Sequence, residues 1–96
     1  MDKKTAEHAS GILKTIAHPV RLQIVELLQA KEMCVGDIVE ALTSKQAVIS
    51  QQLNMMKDKG VLSCRHEGTK VYYQIENKNV IQLLHCFDDH RKRKRG

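Results

Sequence analysis

The chain has little with which to build a catalytic cleft or a membrane anchor. In 96 residues there is no tryptophan, and only Tyr72, Tyr73 and Phe87 are aromatic, so any core has to come from Leu, Ile, Val and Met. One proline and five glycines exclude collagen-like and low-complexity classes. No apolar run is long enough to span a bilayer, and the opening "MDKKTAEHAS" is followed by no signal-type apolar segment. The three cysteines, Cys34, Cys64 and Cys86, are odd in number and widely spaced, unlike a secreted disulfide framework. These absences give the expectation of a cytoplasmic protein with reduced thiols and no membrane contact. There is also no Gly-rich phosphate loop, no nucleophile elbow and no acid–base pair, and this length holds one modest core, which argues against an enzyme.

A further absence is local. "QAVISQQLNMM", residues 46–56, has the period of a helix, with Ile49, Leu53 and Met56 on one stripe and Val48 beside them. The opposite stripe reads Ala47, Ser50, Gln51 and Asn54. A solvated helix face normally alternates Glu and Lys; this one carries amides, a hydroxyl and a methyl. The net charge of +5 is just as uneven. The closing "RKRKRG" holds five basic residues, and setting those five aside from the sixteen leaves eleven Lys and Arg against eleven Asp and Glu. Residues 43–73 nevertheless carry five basic side chains (Lys45, Lys57, Lys59, Arg65, Lys70) against two acidic ones (Asp58, Glu67). An uncharged polar helix face inside a basic segment suits a reader of a polyanion.

The rest of the chain supplies a frame for that helix. "TAEHASGILKTIA" (5–17) has helical period, and Pro19 suits the first turn of a second helix, with Val20, Ile24, Leu27 and Leu28 on its core side. His18, just before it, fits a structural helix-start residue better than a ligand, and Arg21 is expected to pair with an acid at the core edge. "CVGDIVEAL" reads as a short third helix. Thr43 and Gln46 have capping-box spacing, so the fourth helix is expected to open within 43–46 and to stop at Gly60. The period then switches to two: "VLSCRH" and "KVYYQIE", separated by "EGT", predict a β-hairpin. A last helix runs from Asn77 with Val80, Leu83, Leu84 and Phe87 apolar. The order helix–helix–helix–helix–hairpin–helix predicts a mainly α winged helix-turn-helix over residues 1–90, followed by a basic, disordered tail over 91–96.

That fold gives the polar stripe a use. Gln46, Ala47, Ser50, Gln51 and Asn54 are the candidate base-reading residues, because an amide matches adenine's donor and acceptor in the major groove and alanine permits close approach to a thymine methyl. Lys45, Arg65, Thr69 and Lys70 are the candidate phosphate contacts, which set position more than sequence. The competing class is a winged helix used for protein–protein contact. It calls for an exposed apolar patch or an acidic recognition face, and the sequence displays neither.

Four ordered motifs, "LKTIAHPVRLQIVELL", "CVGDIVEAL", "VISQQLNMMKDKGVL" and "RHEGTKVYYQI", resemble the ArsR/SmtB family of bacterial winged-helix repressors over roughly residues 8–90. The resemblance implies a homodimer built through the first and last helices and a palindromic operator in double-stranded DNA. It also implies repression relieved by a metal or metalloid ion or, in some members, by an oxidant or reactive sulfur. Ile12, Val80, Leu84 and Phe87 are the expected dimer residues. Gln46, Ala47, Ser50 and Gln51 fall on the family's base-reading positions, although Lys45 stands where many members place a capping serine.

The sensor pattern departs from the family. "CVGD" keeps Cys34 but has Gly36 where a second thiol would stand, and one thiol does not complete a soft-metal site. At the positions that match the last-helix zinc site stand Asn77, Asn79, His90 and Arg93, so only His90 remains. Three readings stay open. His85, Cys86, Asp89 and His90 form two i, i+4 pairs that a divalent metal or metalloid ion could share across a dimer. Cys34, near a helix start that favours thiolate, and Cys86 are thiol-redox candidates. The cysteines also fit small buried hydrophobes.

Overall fold

The computed structural model describes residues 1–86. Helix α1 spans Lys3–Ile16, with Asp2 as N-cap: its carboxylate accepts the Thr5 N–H at 2.8 Å, and hydrogen bonding by the Thr5 side chain and then its backbone holds that carboxyl below its ordinary range. Ile12 and Ile16 face inward, and buried Thr15 satisfies its hydroxyl on the Gly11 carbonyl one turn back at 2.8 Å. Helix α2 spans Pro19–Leu28. His18 caps it as a helix-start residue, its Nδ1 accepting the Val20 N–H at 3.2 Å.

The next two helices end in the same way on different residues. Helix α3 is Val35–Leu42 and α4 is Gln46–Asp58. After α4, Gly60 takes φ 80°, and Gly60 N and Val61 N bond back to Lys57 O and Met56 O at 3.0 Å each. That is a Schellman motif, completed by burial of Met56 and Val61 together. After α3, Thr43 takes φ 50°, and Thr43 N and Ser44 N return to Glu40 O and Val39 O at 3.3 and 3.2 Å. The capping box expected of Thr43 and Gln46 is therefore not formed. Thr43 closes α3, and Lys45 is the N-cap of α4 with no side-chain capping bond. A β-branched residue is strained in the left-handed region where Gly60 is at ease. Thr43→Gly is expected to stabilise the fold by roughly 1 kcal/mol once glycine's greater freedom in the unfolded chain is subtracted. Thermal melts at matched protein concentration should show Tm about 4–8 °C higher.

The sheet holds one more strand than the sequence suggests. Strands β2 (Leu62–Glu67) and β3 (Lys70–Ile75) form the expected hairpin, and a two-residue strand β1, Met33–Cys34, pairs antiparallel with the far edge of β3. The order is β1-β3-β2. Gly68 has φ 62° at the first of the two loop positions between Glu67 and Lys70, the sign pattern of a type II′ turn. Along the strands, Tyr73 and Ile75 turn into the core while Arg65 and Glu67 turn out.

The core is where α2, α3, α4 and the base of the hairpin converge: Ile24, Val25, Ile38, Ile49, Leu53, Met56, Val61 and Leu62 are all 2% exposed or less. Each such side chain contributes about 1.5–3 kcal/mol by leaving water. Two expected dimer residues belong to this core. Ile12 is 8% exposed and Val80 2%, so the protomer buries both itself; the apolar period locates a buried face without saying what buries it. Residues 79–86 are helical, started by Asn77, whose Oδ1 accepts the Asn79 N–H at 3.0 Å; Ile81, Leu83 and Leu84 lie half-buried against the core. Phe87, Asp89, His90 and the basic stretch 91–96 lie outside the described residues. Among those described, no helix is long and apolar enough to cross a membrane.

Candidate nucleic-acid interface

Helix α4 is divided cleanly along its length. Ile49, Leu53 and Met56 are fully buried, whereas Gln46, Ala47, Gln51 and Asn54 are exposed and Ser50 is half-exposed. The five residues singled out from sequence thus share one open face. Val48, placed with the apolar stripe from its spacing, is 38% exposed instead. Packing under the helix fixes its roll, and one polar tie fixes it further. Arg21 donates from Nε to Gln52 Oε1 at 2.7 Å and from Nη1 to the Thr15 carbonyl at 3.1 Å. Its partners are an amide and a backbone carbonyl, not the acid expected, because Gln52 on the flank of α4 is the side chain within reach. No sequence signal links Arg21 to Gln52, since a long-range pair leaves no periodic trace.

The hairpin tip stands beside this helix. Thr69 and Lys70 are exposed, and Lys45 is exposed at the start of α4. An open cleft of about 540 Å³ lies between the three parts, lined by Cys34 and Asp37 of the α3 start, by Gln46, and by Thr69 and Lys70. The first turns of α3 and α4 both lack a side-chain cap, and Asp37 and Glu40 of α3 bring carboxylates to the same cleft.

Arg65 does not join this group. Glu32 accepts its Nε–H on both carboxylate oxygens at 3.0 Å and also pairs with Nη2, while Glu67 accepts from Nη1 at 2.8 Å. The guanidinium also lies over the Tyr72 ring, 4.7 Å from its centroid. The hydrogen bond from Arg65 holds the Glu32 carboxyl below its ordinary range, and the two carboxylates push the guanidinium further up. The phosphate contact expected of Arg65 is not what this structure displays: its Nε–H and one N–H of each terminal nitrogen are engaged by Glu32 and Glu67 within the chain. Glu32 was not visible from sequence, being thirty-three positions away.

The candidate sensor residues are scattered. Cys34 is half-buried as the N-cap of α3, Cys64 is half-buried on β2 opposite Tyr73, and His85 and Cys86 are exposed. Among the described residues no three His, Cys, Asp or Glu side chains cluster closely enough to hold a metal ion. The other two expected ligands, Asp89 and His90, fall beyond residue 86.

Comparison with known proteins agrees with this geometry. Residues 18–63 match the family model described as bacterial regulatory protein, arsR family. The transcriptional repressor PagR of Bacillus anthracis is 40% identical over 82 residues, covering 81% of this chain and 82% of that protein. Among solved structures, HlyU from Vibrio cholerae superposes with a TM-score of 0.81 at 33% identity, covering 91% of this chain and 97% of that one. A homodimeric winged helix-turn-helix DNA-binding domain from Mycobacterium bovis also gives a TM-score of 0.81, at 30% identity and with 96% and 87% of the two chains covered.

Proposed function

Because the chain belongs to the ArsR family of bacterial regulatory proteins, transcriptional regulators and not enzymes, we propose that it is a homodimeric repressor of a palindromic operator in duplex DNA. Helix α4 enters the major groove, where Gln46, Ser50, Gln51 and Asn54 meet base edges and Ala47 allows close approach. Lys45, Thr69 and Lys70 lie on the flanking phosphates. The observation that carries this reading is the split of α4 into a fully buried apolar side and an exposed, uncharged polar side. Dimerisation is supported by Leu13, an apolar side chain on α1 left 49% exposed by the protomer, and by the homodimeric relative.

Two substitutions separate the roles. Gln51→Ala should weaken binding to a selected operator by about 1–3 kcal/mol and narrow the gap to random duplex. Lys70→Ala should weaken binding to every duplex and flatten the dependence of log K on log salt by about one phosphate's worth. Titrations followed by fluorescence anisotropy at several salt concentrations measure both. Parent-like behaviour of Gln51→Ala on both duplexes overturns the assignment of α4.

We further propose that the operator is released by thiol chemistry at Cys34. The support is its location: it caps α3 and lines the same cleft as Gln46 and Lys70, so a change at its sulfur is felt by the recognition helix and the hairpin together. Metal binding by His85, Cys86, Asp89 and His90 is the competing release signal.

A further inference from the structure

Arg65 is placed as a structural cation. It sits on β2 directly across from Tyr72 of β3, and Tyr72 is in turn across from Cys34 of β1, so the three positions form one row across the sheet. Glu32 lies just ahead of β1, on the segment leading into α3, and Glu67 lies two residues along β2 towards the tip. One side chain therefore ties the hairpin to the body of the protein at one end and to its own tip at the other. An isolated exposed ion pair contributes little, but a bidentate guanidinium–carboxylate pair backed by a second carboxylate and an aromatic face holds a fixed geometry.

The charge balance points the same way. One guanidinium with two carboxylates sums to a single negative charge, which offers no attraction to a phosphate. Glu67 is also the residue opposite Lys70 across the turn, where opposite charges ordinarily pair. Here Glu67 bonds Arg65 instead, and among the described residues Lys70 makes no ion pair.

We propose that Arg65 is a positioning residue of the hairpin: with Glu32 it fixes the hairpin against the α3 entrance, and by engaging Glu67 it leaves Lys70 free for the DNA backbone, without touching phosphate itself. This rests on the reading of the hairpin tip as a DNA contact. It assigns to Glu32, an acid, a role in strengthening binding to a polyanion.

The test is operator affinity against salt for the full chain and for Glu32→Gln, Arg65→Lys and Lys70→Ala. All three side chains are at the surface, and circular dichroism checks that each variant folds. Glu32→Gln is expected to weaken binding about three- to tenfold, the effect of losing a network and not a lone pair, with an unchanged salt slope. Arg65→Lys should weaken it similarly, since an ammonium keeps the charge but loses the bidentate fork and the ring stacking. Lys70→Ala should lower the slope by about one phosphate contact. Tighter binding of Glu32→Gln with a steeper slope, or parent-like binding of Arg65→Lys, would mean that Arg65 reaches phosphate in competition with Glu32, and the proposal falls while the DNA reading stands. Unchanged binding and slope in Lys70→Ala would remove the hairpin contact, and the proposal with it.

Discussion

Leu13→Asp is expected to give a folded monomer that holds its operator about 10²- to 10⁴-fold more weakly than the parent, because the second half-site no longer binds as a linked event. Neighbouring side chains of α1 differ sharply in exposure. Ile12 and Ile16 of α1 are 8% and 3% exposed and belong to the protomer's own core, whereas Leu13 between them is 49% exposed. A carboxylate at Leu13 therefore meets water in the isolated protomer and costs the fold little. In a subunit interface it would be stripped of water without a partner, at a cost of several kcal/mol. Sedimentation at micromolar concentration measures the assembly, and operator titration measures the loss. A monomeric parent, or a Leu13→Asp protein that stays dimeric, would remove α1 from the interface.

Cys34→Ser is expected to abolish release of the operator by peroxide while leaving DNA binding of the reduced protein unchanged. On the proposed reading, the Cys34 thiol of the parent takes one oxygen from hydrogen peroxide: an S–O bond forms, the O–O bond breaks and one water leaves. The sulfenic group is larger and a stronger hydrogen-bond acceptor than the thiol. It arises at the uncapped first turn of α3, in the cleft shared with Gln46 and Lys70. A shift of α4 or the tip by this group needs to cost only about 1–3 kcal/mol, a 5- to 150-fold change in affinity, to act as a switch. Serine keeps the shape and removes the chemistry. Release of the parent by zinc or arsenite but not by peroxide, lost in Cys86→Ser, would assign sensing to the last helix instead.

Most of the architecture was legible from sequence because it is written in local periods. Among the described residues, apolar spacing located every helix, and a switch to period two around Gly68 located the hairpin. The polar stripe of 46–56 identified an exposed face because its neighbours at helical spacing had to be buried. What escaped was non-local or ambiguous. The strand Met33–Cys34 is too short to carry a period, and its pairing is with Tyr72 and Tyr73. Thr43 satisfied the spacing of a helix start, yet the backbone bonds it makes close the preceding helix. Arg65 looked like a free cation because no rule ties it to Glu32. Val80 and Ile12 looked available for a partner because one chain's pattern does not distinguish its own core from a shared one.

The two-residue strand β1 also ties completion of the sheet to the last of its strands in the chain. The hairpin itself can close across its short loop within microseconds. Its edge pairing with the body, added to the packing of its base in the core, exists only when Met33 and Cys34 find Tyr73 and Tyr72, across the whole of α3 and α4. Until β3 has left the ribosome, the helices can pack and α4 can present its polar face, but the edge at β1 has no partner and Glu32 has no Arg65 held against it. A chain that stops after β2 therefore carries the exposed polar face of α4 without the hairpin tip beside it. The three-stranded sheet, and the tip it carries beside α4, is complete only with Lys70–Ile75.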